Sequence, residues 1–383
     1  MSAAAVASSR WALLFGNFVI GCGLMVVAGS LNDLTRSLEV SVAVGGQLIA
    51  IAAVVMCVAA PLLAGLVSGF DRRVLLALAL LWYGVGHAVS ALAPNYAALV
   101  PLRAISMLAA AVFTPQAAAA MGFIAAPAER GRAITFIFLG WSVASVFGMP
   151  LHAWIGESFG WRWAFALVAL LSLVGAAWVW RAMPAGIRPP ALGAAAWRET
   201  LTNPVLMAVI GVTALQGAGQ FTLFSYFAPY YRQVLGASPL QISLLFGWFG
   251  LFGLVGNVIL SRNIDRIGPP RAVFWLMLLI TTSLLLWPLA TTVGTVAIVV
   301  VPWALGCFAA NSAQQARLGA AAPALAPALM ALNSSAIYLG QAAGAASGGL
   351  MLAGSGYSML AAVGIAWMVA ALVLSRWAQR RGT

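Results

Sequence analysis

The sequence has no lysine, only seven acidic residues, two histidines and three cysteines among 383 residues. Each scarcity removes a class of function. Without lysine there is no glycine-rich loop ending in lysine to cradle nucleotide phosphates, which excludes ATP-driven pumping. Cys22, Cys57 and Cys307 are odd in number, far apart and set in apolar runs, where thiols act as small hydrophobes; neither a disulfide framework nor a metal site follows. Charged residues make up 7% of the chain and hydrophobic ones 63%, whereas an ordinary soluble domain is roughly a quarter charged. So few charges cannot cover a water-soluble core of this length, so lipid must cover the apolar surface instead. The net charge of +12 does not indicate nucleic acid, because the arginines stand singly or in pairs between apolar runs rather than on one soluble face. The use of arginine alone reads as coding bias and carries no functional weight.

Twelve runs are long enough to cross about 30 Å of hydrocarbon, which takes roughly 20 apolar residues. They fall near 11–30, 42–67, 74–93, 97–124, 133–156, 163–181, 205–229, 241–261, 272–290, 295–316, 327–352 and 358–375. They are too long and too uniformly apolar for barrel strands. The opening MSAAAVASSRW lacks the short apolar core of a cleavable signal, so the first span is expected to be retained. With the N-terminus inside, fifteen arginines face the cytoplasm, Arg317 among them, against Arg36, Arg162 and Arg232 outside. Basic loops are retained on the cytoplasmic side, so both termini are expected there, in a multi-pass protein of the bacterial inner membrane.

The longest polar interruption, with Pro184, Arg188, Pro189, Pro190, Arg198 and Glu199, divides the chain into 1–181, a cytoplasmic linker at 182–204, and 205–383. The halves repeat. LEVS ending at Ser41 recurs as LGAS ending at Ser238, Asp71-Arg72 recurs as Asp265-Arg266, and AAPA around Pro127 recurs around Pro323. Three matches in order at nearly one offset indicate duplication of a six-helix unit. The fold class expected is therefore an all-α integral membrane protein of two pseudo-symmetric six-helix bundles.

Span five places the small residues Gly140, Ala144, Gly148 and Gly156 at four-residue spacing with His152, and Pro150 predicts a kink; span eleven carries Gly340, Gly344 and Gly348. Such stripes admit a second helix closely, either as fixed packing or as a sliding interface. Together with VAAPLLAGLVSGFDRRVLL, Arg103, APAERGRA, FGMPL through GWRWAF, SYFAPYYRQVLGASP, GNVILSRNIDRIGPPR and ALNSSAIYLGQAAGAASGGL, they make the chain resemble a major facilitator superfamily member of the drug/proton antiporter branch, near the arabinose and sugar efflux permeases. The resemblance implies that spans one, four, seven and ten line a cavity, that two, five, eight and eleven form the moving interface, that three, six, nine and twelve face lipid, and that access alternates by rocking of the halves. It also implies that Asp71, Arg72 and Arg73, with Asp265 and Arg266, act as cytoplasmic gating loops. Read without the family, these are exposed charges at helix ends.

Arg103 is the one base inside a span, and it either serves the cavity or snorkels outward. Asn17 stands where the sugar-efflux relatives commonly have an acid, and no Asp or Glu lies inside a span; candidates for a coupled proton are thus Asp33 at the outer mouth, His152 and His87, the last on a lipid-side helix. The remaining cavity candidates are Gln116, Trp141, Gln216, Gln220, Tyr226, Trp248, Asn311, Tyr338 and Gln341. Their amides, indoles and phenols suit a neutral or amphipathic solute; the alternative reading of each is interhelical hydrogen bonding. The expected function is secondary export of a small organic solute such as a sugar, nucleoside or drug, with protons as a candidate coupling ion, by a monomer without cofactor. The alternatives are a facilitator or uptake carrier without proton coupling, and a membrane-embedded enzyme, for which no catalytic constellation exists.

Overall fold

A computed structural model describes residues 3–189 and 192–382; Pro190 of the expected linker, and the outermost residues of both expected halves, lie outside the described residues. The chain divides into two compact units, Met1–Trp197 with Pro323–Ser335, and Arg198–Ala322 with Ala336–Thr383. Both are helical, as lipid requires: a helix pairs its backbone N–H and C=O groups within its own segment where the solvent offers them no partner.

The first unit contains α1 (Ala3–Gly29), the short α2 (Leu31–Ser37), α3 (Val42–Leu66), α4 (Arg72–Ala91), α5 (Tyr96–Ile124), α6 (Arg130–Val143), α7 (Met149–Phe159) and α8 (Trp161–Ala182). Then α9 (Ala194–Thr202) leads into the second unit, which has α10 (Pro204–Phe224), the short α11 (Phe227–Gln233), α12 (Pro239–Ile267), α13 (Pro269–Leu286), α14 (Val293–Ala321), the part of α15 (Ala326–Ser355) from Ala336 onward, and α16 (Leu360–Arg380); the start of α15, up to Ser335, belongs to the first unit. Among the described residues, 11 helices are long and apolar enough to cross a membrane. The expected eleventh span, α15, is 30 residues long but is not one of them, because its amides, serines and glycines dilute its apolar character.

The repeat is carried by the chemistry of helix ends. Ser41 caps α3 by accepting from Val44 N, and Ser238 caps α12 by accepting from Gln241 N. Asn95 caps α5 and Thr292 caps α14 in the same way. Gly160 and Gly356, at φ 98° and 65°, open the turns into α8 and α16. The members of each pair stand 196 or 197 residues apart, and each polar cap satisfies an amide that the helix leaves open, worth about 1 kcal/mol. The irregularity expected at Pro150 is a π turn, Ala144–Gly148, joining α6 to α7: Met149 N bonds Ala144 O, five residues back.

Packing repeats as well. In the first unit α4 packs on α8 and α5, α3 on α5, and α1 on α6 and α8; in the second α13 packs on α16 and α14, α12 on α14, and α10 on α16. The glycine stripes bring a further helix against the first helix of their own unit. A Cβ on Gly140 would overlap the Leu14 carbonyl, one on Gly148 would lie 2.7 Å from Cys22 Sγ, and one on Gly156 would lie 2.8 Å from Ser30 Cβ, all on or just after α1. On α15, Gly340, Gly344 and Gly348 meet the carbonyls of Ala214, Ala218 and Thr222 of α10. Within each unit the stripe is fixed packing of backbone on backbone. Rows of large apolar side chains are exposed on α4 (Leu78, Trp82, Val85), α8 (Trp163, Leu170, Val174), α13 (Trp275, Leu279) and α16 (Val369, Val373), which fits faces turned to lipid.

A Gly340→Val substitution should therefore destabilise the folded protein by about 1–3 kcal/mol through overpacking, whereas Gly247→Ala, where no atom lies within 4 Å of the new methyl, should leave stability unchanged or slightly raised. Thermal unfolding in detergent, followed by size-exclusion chromatography, distinguishes the two.

Candidate functional site

In the first unit, Asn17 joins three helices. Its Nδ2 donates to Ile137 O of α6 at 3.2 Å and its Oδ1 accepts from Thr114 Oγ1 of α5 at 3.0 Å. A carboxamide neither gains nor loses a proton at physiological pH, so this position works by hydrogen bonding alone. Gln116 is also buried, and neither its Oε1 nor its Nε2 has a partner among the described residues. The half-buried Trp141 likewise keeps an unpaired indole N–H.

Further along α1, Arg103 reaches in from α5. Its Nη1 donates to Gly23 O at 2.7 Å and its Nη2 to Leu24 O at 3.1 Å. Arg103 is buried, so it does not snorkel outward. Carbonyl acceptors offset part of an insertion cost of about 2.5–3.5 kcal/mol. His87 stands on the inward face of α4, opposite the exposed row of Leu78, Trp82 and Val85: it is buried, its Nδ1 lies 2.9 Å from Tyr83 O, and its ring meets Tyr83 and Phe165. A carbonyl can only accept, so Nδ1 carries the proton and Nε2 turns its lone pair to Arg103 Nη1, 3.5 Å away. Tyr83 completes the chain by donating from its hydroxyl to Ile20 O at 3.0 Å.

His152 on α7 is buried with both ring nitrogens unpartnered among the described residues. It packs against Gly29, whose Cβ, if present, would lie 2.8 Å from His152 Cβ. Asp33 has a different setting: its Oδ2 accepts from Trp161 N at 2.8 Å at the start of α8, and its Oδ1 lies 3.8 Å from Arg36, which also approaches Glu157 at 3.7 Å.

The second unit repeats the amide link. Gln216 Nε2 of α10 donates to Asn311 Oδ1 of α14 at 3.3 Å, and Asn311 stands 197 residues after Thr114. One turn on, Gln220 Oε1 accepts from Trp303 Nε1 at 3.1 Å, and Tyr226 donates to Ala345 O at 2.7 Å. Trp248 is 41% exposed, with its indole N–H on Ala297 O. Tyr338 and Gln341 are half-buried on α15.

The two charged loops are built differently. Asp71 caps α4, its Oδ1 accepting from Arg73 N at 2.9 Å and its Oδ2 from Gly186 N in the linker. Arg72 is not the exposed charge expected without the family. It is fully buried, its guanidinium bonding the carbonyls of Val67, Ser68 and Phe70 while its backbone N–H bonds Ile187 O. Leu192 N bonds Ser68 Oγ at 2.9 Å, Arg73 stacks over Trp180 at 4.5 Å, and the Trp197 indole nitrogen sits 3.2 Å from the Cβ position of Gly65. The front of the linker is thus clasped to the α3–α4 loop. Asp265 and Arg266, by contrast, are exposed inside the last turn of α12.

Sequence reasoning missed Thr114, Trp303 and Ser68. The repeat could have found Thr114 from Asn311; no comparable signal pointed to the others. Arg317, counted with the cytoplasmic arginines, is buried on α14 and donates to Ser375 Oγ of α16 at 2.9 Å.

A family model described as Major Facilitator Superfamily matches residues 13–345 and, in a second match, 209–383. The inner membrane transport protein YdhP of Escherichia coli (strain K12) is 29% identical over 367 residues, covering 95% of this chain and 93% of that one. A probable sugar efflux transporter of Mannheimia succiniciproducens is 27% identical over 368 residues, covering 93% and 92%. Among solved structures, the human organic anion transporter MFSD10 (TETRAN) shares the fold with a TM-score of 0.78 at 18% identity over 98% of both chains.

Thr114→Val should leave Asn17 Oδ1 unsatisfied and cost about 1–3 kcal/mol, read as a lowered unfolding temperature. Ser68→Ala should release Leu192, so that proteinase K nicks the chain between Pro184 and Leu192 faster than in the wild type; equal rates would contradict the clasp.

Proposed function

Because the chain belongs to the major facilitator superfamily, and is a multi-pass transporter of the cytoplasmic membrane rather than an enzyme, we propose that it exports a small neutral or amphipathic organic solute by alternating access. The observation that carries the solute class is the character of the polar groups inside the helices. Apart from the buried arginines and histidines they are amides, hydroxyls and indoles, and Gln116 and Trp141 hold buried hydrogen-bonding atoms without partners among the described residues. Such atoms are costly unless something bonds them, and an uncharged solute with hydroxyl or carbonyl groups meets that need. Export is supported by the efflux description of the relative that covers 93% of the chain.

In this reading α15 is the eleventh span and brings the total to twelve, buried enough to tolerate its polar residues, and both termini are cytoplasmic. Setting Arg317 aside leaves fourteen arginines inside against three outside, still a strong bias. The moving bodies are the halves 1–181 and 205–383, joined by 182–204. A carrier without proton coupling is the second reading, favoured by the amide of Asn17 and by the lack of an acid in the middle of any span.

Overexpression in intact cells should lower the steady-state accumulation of at least one compound in a panel of sugars, nucleosides and amphipathic drugs; a flat response across the panel would contradict export. Flux in proteoliposomes with and without an imposed pH gradient separates the readings, since gradient-independent flux to equal concentrations identifies the uncoupled carrier.

A further inference from the structure

The chain contains two histidines, and the structure gives them opposite settings. His87 is committed. Its Nδ1 proton is spent on Tyr83 O, its Nε2 lone pair faces Arg103, and its ring is enclosed by Tyr83 and Phe165. A second proton on Nε2 would set one cation against another at hydrogen-bond distance and turn the acceptor of Arg103 into a donor. Asp33 is committed too, since its Oδ2 holds the first amide of α8.

His152 has no such commitment. It is buried, and either nitrogen can accept or release a proton without breaking a hydrogen bond to the described residues. It follows the π turn between α6 and α7, within the glycine stripe between Gly148 and Gly156 and against α1. Widened turns of this kind recur at functional positions. The titratable and charged groups on the surrounding elements are few: Cys22 of α1 beneath Gly148, Asp33 and Arg36 of α2, Glu157 of α7 itself near Arg36, Arg162 of α8 on Ser37 Oγ and Ala93 O, and His87 and Arg103 of α4 and α5. Among the described residues none of the carboxylates bonds His152.

We propose that His152 is the group that binds and releases the coupling proton, with His87 as the positioning acceptor for Arg103. This rests on the transporter reading above and decides between its coupled and uncoupled forms in favour of coupling. In the structure as it stands His152 is shut away from water, and a charge added there would meet neither solvent nor a bonded carboxylate. Protonation therefore favours a conformation that opens its surroundings, and that differential is what links a proton to a conformational cycle.

With two histidines, the test is direct. Protein carrying 15N-labelled histidine is placed in lipid nanodiscs and titrated from about pH 4 to 9, a range that brackets the ordinary imidazole. One imidazole should titrate and the other should not, and the titrating signal should vanish in His152→Gln while the His87 signal keeps its wild-type shift, which also shows that the bundle is folded. A titrating signal that survives His152→Gln, or two silent histidines, overturns the proposal. In parallel, export of Nile red, a neutral amphipathic dye, is followed in proteoliposomes with and without a pH gradient. Gradient-driven export should be lost in His152→Gln; its persistence there also overturns the proposal. If wild-type protein does not export Nile red, the export reading for that class of solute fails, while the titration still tests His152 independently.

Discussion

The structure depends on how closely α1 and α10 are approached by another helix of their own unit. In lipid no water is expelled when helices meet, so association rests on packing and hydrogen bonds. Gly140 against Leu14 and Gly340 against Ala214 bring backbone onto backbone, where any side chain would hold the helices apart. Once α1 is fixed in that way, its carbonyls and amide become reference points for the rest of the first unit: Asn17 receives Thr114, Gly23 and Leu24 receive Arg103, and Ile20 receives Tyr83. Helix α10 plays the same part in the second unit through Gln216, Gln220 and Thr213, the last accepting from Gln314 at 3.0 Å.

Among the described residues three arginines are buried, and each is met mainly by oxygen atoms of the protein. Arg72 takes the carbonyls at the end of α3, Arg103 those of α1, and Arg317 the hydroxyl and carbonyl of Ser375. Guanidinium suits this work because its donors form a planar fork and it stays charged. The consequences differ with place. Arg72 ties a loop and a linker together at a helix end, Arg317 ties α14 to α16, and Arg103 ties α5 to the carbonyls of α1 beside His87.

Much of the fold was legible in the sequence because lipid imposes a simple rule on length and polarity, and because caps are chemically distinctive. Ser41 and Ser238, found as a repeated motif, proved to be helix caps, and the small-residue spacing in spans five and eleven marked the close approaches. Facing was not legible. Helices this rich in alanine and uniformly apolar have little contrast between faces, so nothing marked His87 and Arg72 as inward-turned, and Arg317 passed for a loop charge. The polarity of α15 was plain in the sequence, but that its glycines press on the backbone of α10 emerged only from the fold. Within the candidate site, single amides such as Asn17 and Gln216 were visible as anomalies, but their partners Thr114 and Trp303 were ordinary residues until the fold brought them within hydrogen-bond distance.

The most direct measurement of these close approaches is made in the bilayer itself. Solid-state NMR of protein in liposomes, labelled at glycine Cα and at leucine and alanine carbonyls, should show cross-peaks from Gly140 to Leu14 and from Gly340 to Ala214, as expected for backbones in van der Waals contact. Spectra in which both glycines lack those neighbours, in a sample that is otherwise helical and homogeneous, would contradict the arrangement from which the rest of each unit is built.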